Sequence, residues 1–156
     1  MQDQVVEMIG WMRQRKLEYG EPVLVQHAID ALNLGRLDRS TASGVLEKLK
    51  SEGILRDAGG RFAITKAGFN RIYPETDAQC IENVMEDIVR YMAERSPASG
   101  FQLAEYSTVM RRRLNPKEVA FIGSATDQLE NEGFWKASGR GSYLLTQAGA
   151  DRVAQI

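Results

Sequence analysis

One cysteine, Cys80, and one histidine, His27, are all that this 156-residue chain holds of those two types. A lone cysteine excludes an intramolecular disulfide and fits a reducing, cytoplasmic setting. Two such residues cannot supply the four ligands of a structural zinc site, so no metal is expected. They lie in different halves with no orienting motif around either, which argues against a nucleophile–base pair. No glycine-rich phosphate loop follows a strand pattern, because Gly139-Arg140-Gly141 falls inside a hairpin. The carboxylates are scattered over helix surfaces. No enzymatic activity and no cofactor are therefore expected. There is no apolar run of about 18 residues, so no transmembrane helix is expected, and no membrane partner is expected either. Met1-Gln2-Asp3-Gln4 lacks the basic and apolar regions of a signal peptide.

Charge of one sign is also lacking. Twenty Lys/Arg against 21 Asp/Glu leave a net charge of −1. Residues 1–76 carry 11 basic and 10 acidic side chains, and residues 77–156 carry 9 and 11. A nucleic-acid contact would have to rest on local clusters rather than bulk charge.

What the chain does have is a repeat. Leu49-Lys50-Ser51-Glu52-Gly53-Ile54-Leu55 returns as Leu129-Glu130-Asn131-Glu132-Gly133-Phe134-Trp135, and Ile64-Thr65-Lys66-Ala67-Gly68 returns as Leu145-Thr146-Gln147-Ala148-Gly149. A spacing near 80 residues points to a duplicated domain, not a solenoid. Tyr73-Pro74-Glu75-Thr76-Asp77 reads as the boundary, since proline stops a helix within a polar cluster. Two domains are expected, 1–74 and 75–156, each near the size at which a lone core is marginal.

Helical periodicity marks residues 4–17, with Val5, Met8, Ile9 and Met12 inward, and a second helix from Val23 to Leu34 closed by Gly35. A third, capped by Asp38 or Ser40, runs to about Glu52 on an Ala42, Val45, Leu46 and Leu49 stripe. Leu37 is expected to plug the core. Two short strands across Gly59-Gly60 follow, then a helix with Thr65 at its N-cap. The second half repeats this order. Its first helix covers Ile81 to Arg95 and its second Phe101 to Leu114, with a loop at residues 96–100 between them. Asn115-Pro116-Lys117-Glu118 opens its third helix as a capping box with proline at N1. The hairpin turns at residues 138–141. Trp11 and Tyr91, 80 residues apart on the two first helices, are expected to complete the cores.

Three helices, a hairpin and a closing helix, with the repeated Gly-apolar and Thr-x-x-Gly segments, resemble winged helix-turn-helix domains. The resemblance implies a mainly α fold with small β-hairpin wings, α+β overall, as two tandem winged-helix domains. It also implies double-stranded DNA as partner, in the manner of a small bacterial or phage transcriptional regulator. The third helix would then enter the major groove. In the first repeat Arg39, Ser40, Ser43 and Lys48 would face the groove, with Arg36 in the preceding turn and Arg61 on the wing. In the second the outward face, with Lys117, Ala120, Ser124 and Asp127, reads bases poorly. Its candidates are the cluster Arg111-Arg112-Arg113 with Lys117, and Arg140 on the wing. An alternative stands beside this: tandem winged-helix subunits of chromosome-condensation and endosomal-sorting complexes have a similar architecture and use it for protein contacts. A protein partner or homodimer is the corresponding expectation.

Overall fold

The computed structural model describes residues 1–34, 38–95 and 100–156. Gly35, Arg36, Leu37 and residues 96–99, on which several expectations fall, lie outside the described residues. The chain divides into two compact units, Met1–Pro74 and Glu75–Ile156. Both are mixed α and β, with helices predominating and a three-stranded antiparallel sheet in each.

The first unit runs α1 (Gln2–Gln14), β1 (Pro22–Val23), α2 (Val25–Ala31), α3 (Arg39–Ser51), β2 (Leu55–Asp57), β3 (Phe62–Ile64) and α4 (Lys66–Ile72). Its core gathers Val5, Met8 and Met12 from α1, Ala28 and Ile29 from α2, and Ala42, Val45, Leu46 and Leu49 from α3. The stripe read from the 3.6-residue period is thus the buried one. The second unit runs α5 (Asp77–Ala93), β4 (Phe101–Gln102), α6 (Leu103–Met110), α7 (Pro116–Val119), α8 (Ile122–Asn131), β5 (Trp135–Gly139), β6 (Ser142–Leu145) and α9 (Gln147–Ala154). Its core is more aromatic. Phe101 lies 4.5 Å from the Trp135 ring and 5.3 Å from Tyr106, and Tyr143 stacks on Trp135 at 4.7 Å.

Several boundaries differ from the periodic reading. The second helices are shorter at their starts, because Pro22–Val23 and Phe101–Gln102 are strands that pair with β3 and β6. Each expected hairpin is therefore a three-stranded sheet, ordered β1-β3-β2 and β4-β6-β5. α2 ends at Ala31, and Asn33 takes the left-handed conformation after it, at φ 54°; Gly35, expected to close this helix, lies outside the described residues. Asp38 stands at the N-cap of α3 without a side-chain cap bond, and Ser40 lies inside the helix. The third helix of the second unit breaks after Val119, where the Phe121 N–H bonds back to the Glu118 carbonyl, a tighter i→i−3 turn.

The repeated sequence signature builds the same clasp twice. α3 ends with Gly53 at φ 80° and α8 with Gly133 at φ 79°. This left-handed step costs glycine no Cβ clash. Ile54 N–H then bonds to Leu49 O at 3.0 Å and Phe134 N–H to Leu129 O at 2.9 Å, a Schellman closure. Beyond each hairpin a threonine caps the last helix: Thr65 Oγ1 accepts from Gly68 N–H at 2.8 Å, and Thr146 Oγ1 from Gly149 N–H at 3.0 Å. The same hydroxyls reach back to the carbonyls of Gly53 and Ile54, and of Gly133 and Phe134. The Thr65 and Thr146 N–H groups also donate to Ile54 O and Phe134 O. Gly68 and Gly149 are glycine for space. A Cβ on either would lie inside the van der Waals shell of the Ile54 or Phe134 carbonyl.

Gly68→Ala is expected to destabilise the first unit by about 1–3 kcal/mol or more, as overpacking against backbone does. Gly10→Ala, where a Cβ meets open space in α1, is expected to stabilise by about 0.5–1 kcal/mol through helix propensity. Urea denaturation of the two variants checks both signs.

Candidate nucleic-acid interface

In the first unit the candidates sit on two elements. The solvent face of α3 carries Arg39, Ser40, Glu47 and Lys48, all exposed, while Ser43 and Gly44 are half-buried. The Met1 methyl lies over Gly44, 3.8 Å from where a Cβ would stand, so the N-terminus of α1 partly covers the middle of this face. Arg61 is exposed at the hairpin tip beside Gly59-Gly60, and the turn is closed by an Ala58 N–H to Arg61 O bond of 2.7 Å. Lys50 ties α3 to the hairpin through an ion pair of 2.6 Å with Asp57. The hydrogen bond and charge of Asp57 hold the Lys50 ammonium above its ordinary value. Lys50 is thus occupied inside the unit, while Arg39, Lys48 and Arg61 project to solvent. Arg36 falls outside the described residues.

In the second unit the cationic cluster divides. The three arginines form the turn after α6. Arg113, though exposed, pairs with the core side: its Nη2 lies 3.0 Å from Asp87 Oδ1. Asp87 is a nearly buried carboxylate on α5, and its other oxygen accepts from the Tyr106 hydroxyl at 2.8 Å. A buried carboxylate needs such partners, since desolvation without them costs several kcal/mol. Arg113 therefore neutralises this carboxylate, while its side chain stays 43% exposed. Lys117 likewise donates from Nζ to the Glu75 carbonyl. Glu105 of α6 pairs with Arg95 at 2.6 Å. Arg111 and Arg112 are exposed, as is Arg140 at the second hairpin's turn.

The third-helix region of the second unit has no basic face. α8, Ile122–Asn131, contains no Lys or Arg and exposes Gly123, Ser124, Asp127 and Gln128. Lys117 belongs to the separate segment α7. Glu118 there closes the capping box through the Asn115 N–H at 2.9 Å and takes a second bond from Asn83 of α5 at 3.1 Å.

Asp87 is the residue that sequence reasoning missed. Its signal was an acid set between Val84 and Ile88 on the apolar stripe of α5. Trp11 and Tyr91 pack as expected against their own units' cores, each with an arginine one turn on: Arg15 lies 5.4 Å from the Trp11 ring and Arg95 4.7 Å from Tyr91. Cys80 is buried, and that burial raises its thiol. Among the described residues no cluster of His, Cys, Asp or Glu is gathered to hold a metal, and no helix is long and apolar enough to cross a membrane.

Burial first, and Asp87 second, push the Tyr106 phenol far above its ordinary value of 10.0. The folded chain keeps this proton at pH values where the unfolded chain releases it. The group's contribution is whole below about pH 10 and falls as pH rises further. Tyr106→Phe is expected to lower stability at pH 7 by about 1–3 kcal/mol, the cost of a lost bond to a charged acceptor. It is also expected to flatten the alkaline decline. Denaturation midpoints between pH 7 and 11 check both effects.

No protein-family model matches the chain, and neither a curated protein nor a solved structure matches it.

Proposed function

We propose that the chain is a tandem winged-helix protein that binds double-stranded DNA chiefly through its first unit. α3 would lie in the major groove with Arg39, Ser40, Ser43 and Lys48 toward the bases and phosphates. Arg61 on the hairpin tip would reach the adjacent backbone or minor groove. The observation that carries this reading is an exposed basic and small-polar helix face in the same unit as an exposed, arginine-tipped hairpin. Small side chains permit close approach, and hydroxyls serve either base edges or phosphate oxygens. Glu47 at the C-terminal half of α3 directs the closest approach to the helix's N-terminal half. Arg111 and Arg112 are the contacts proposed for the second unit.

A second reading, a protein-contact module, draws support from the second unit alone. α8 presents no cation, Arg113 and Lys117 are occupied within the unit, and residues 77–156 carry more acid than base. The two readings are compatible if the units divide the work, one addressing DNA and the other a partner.

Binding should fall steeply with salt, because each phosphate contact releases counterions at a log–log slope of roughly −0.9 per contact. Arg39→Ala and Arg61→Ala are each expected to weaken binding and reduce the slope by about 1. Arg111→Ala/Arg112→Ala together should reduce it by about 2. Fluorescence anisotropy with a mixed-sequence duplex between 25 and 200 mM salt measures this. Absence of salt-sensitive binding to any duplex at the low end would overturn the reading.

A further inference from the structure

The duplication supplies its own comparison for a pocket on the first unit. In the second unit Arg95 lies over the Tyr91 ring and pairs with Glu105, third residue of α6, at 2.6 Å. In the first unit the ring and the guanidinium recur as Trp11 and Arg15, each 80 residues earlier. The third residue of α2 is not an acid but His27, whose ring lies 5.5 Å from Trp11. Arg15 makes no ion pair among the described residues. A pocket of about 460 Å³ opens at this place, walled by Trp11, Leu17 and Pro22 and edged by Arg15, His27, Glu21 and Asp30. Where one unit fills the position with its own carboxylate, the other leaves a cavity beside the same cation.

We propose that this pocket binds a small aromatic monocarboxylate, whose carboxylate occupies the place that Glu105 holds in the other unit. The proposal is independent of any contact with DNA. His27 Nδ1 accepts the Leu24 N–H at 3.0 Å, so the neutral ring carries its proton on Nε2 and can donate to an anion. Arg15 offers a charge-assisted, bidentate fork. Trp11, Leu17 and Pro22 give an apolar wall suited to a ring and not to a bare ion. Glu21 and Asp30 add negative charge at the rim, which disfavours a dianion such as phosphate and leaves a monoanion tolerated.

Benzoate is the probe. The chain has two tryptophans, and Trp135 is fully buried while Trp11 is half-buried at the pocket. A saturable change in tryptophan emission on adding benzoate, absent in Trp11→Phe, is expected. Acetate, benzyl alcohol and inorganic phosphate should each bind at least tenfold more weakly. Arg15→Gln should weaken benzoate at least tenfold. The decisive variant is His27→Glu, which recreates the Arg95–Glu105 arrangement and places an acid at the N3 position, where a capping box favours one. It should fold, as read by circular dichroism and an unchanged or raised melting temperature, and lose benzoate binding. No saturable benzoate response in the wild-type chain would overturn the proposal. So would a response undiminished in a folded His27→Glu, or phosphate binding as well as benzoate.

Discussion

A threonine hydroxyl wedged between two chain segments organises each half of this protein. Thr65 and Thr146 accept the N–H of the closing helix's third residue and donate to the carbonyl of the glycine that ends the preceding helix. One side chain thereby joins the end of the third helix, the exit of the hairpin and the start of the last helix. The arrangement closes only if no Cβ intrudes, which makes Gly68 and Gly149 the counterpart of the threonine. Once the clasp is closed, the hairpin emerges at a fixed point from α3 or α8. The positions of Arg61 and Arg140 follow from backbone geometry rather than from contacts of their own.

Around this shared frame the surfaces diverge. The first unit keeps Arg39 and Lys48 outward on α3 and Arg61 outward at the hairpin tip. The second draws Arg113 in to neutralise Asp87 and ties Lys117 to a backbone carbonyl. The same divergence runs through the aromatic–arginine pairs on the first helices. Arg95 is closed off by Glu105, whereas Arg15 faces a histidine and a cavity. Duplication followed by unlike surfaces fits a division of labour. That is why the proposed DNA contact rests on the first unit and the proposed partner contact on the second.

Much of the frame was legible in the sequence. Gly53, Gly68, Gly133 and Gly149 can be read directly, since each marks a backbone step or approach that other residues resist. The Asn115-Pro116-Lys117-Glu118 box was equally readable, because its bonds are local. β1 and β4 were not. Two residues carry no period, and Pro22 argues against a strand until a partner strand is known. The break after Val119 left no proline or glycine to announce it. The candidate site was legible only as residue types. Arg111, Arg112 and Arg113 look alike in a row, and only the tertiary position of Asp87 separates the third from the others. Nor does the sequence reveal that Met1 lies over Gly44, a contact between α1 and α3 set by packing.

One frame carries two unlike surfaces, and the first is the one we propose addresses DNA. Backbone amide NMR of the full chain, titrated with a duplex at low salt, tests it most directly. Shifts are expected to concentrate in residues 39–48 and 58–61, with smaller ones around Arg111 and Arg112 and residues 122–131 unmoved. Shifts centred on α8, or equal shifts in the two third-helix regions, would contradict it.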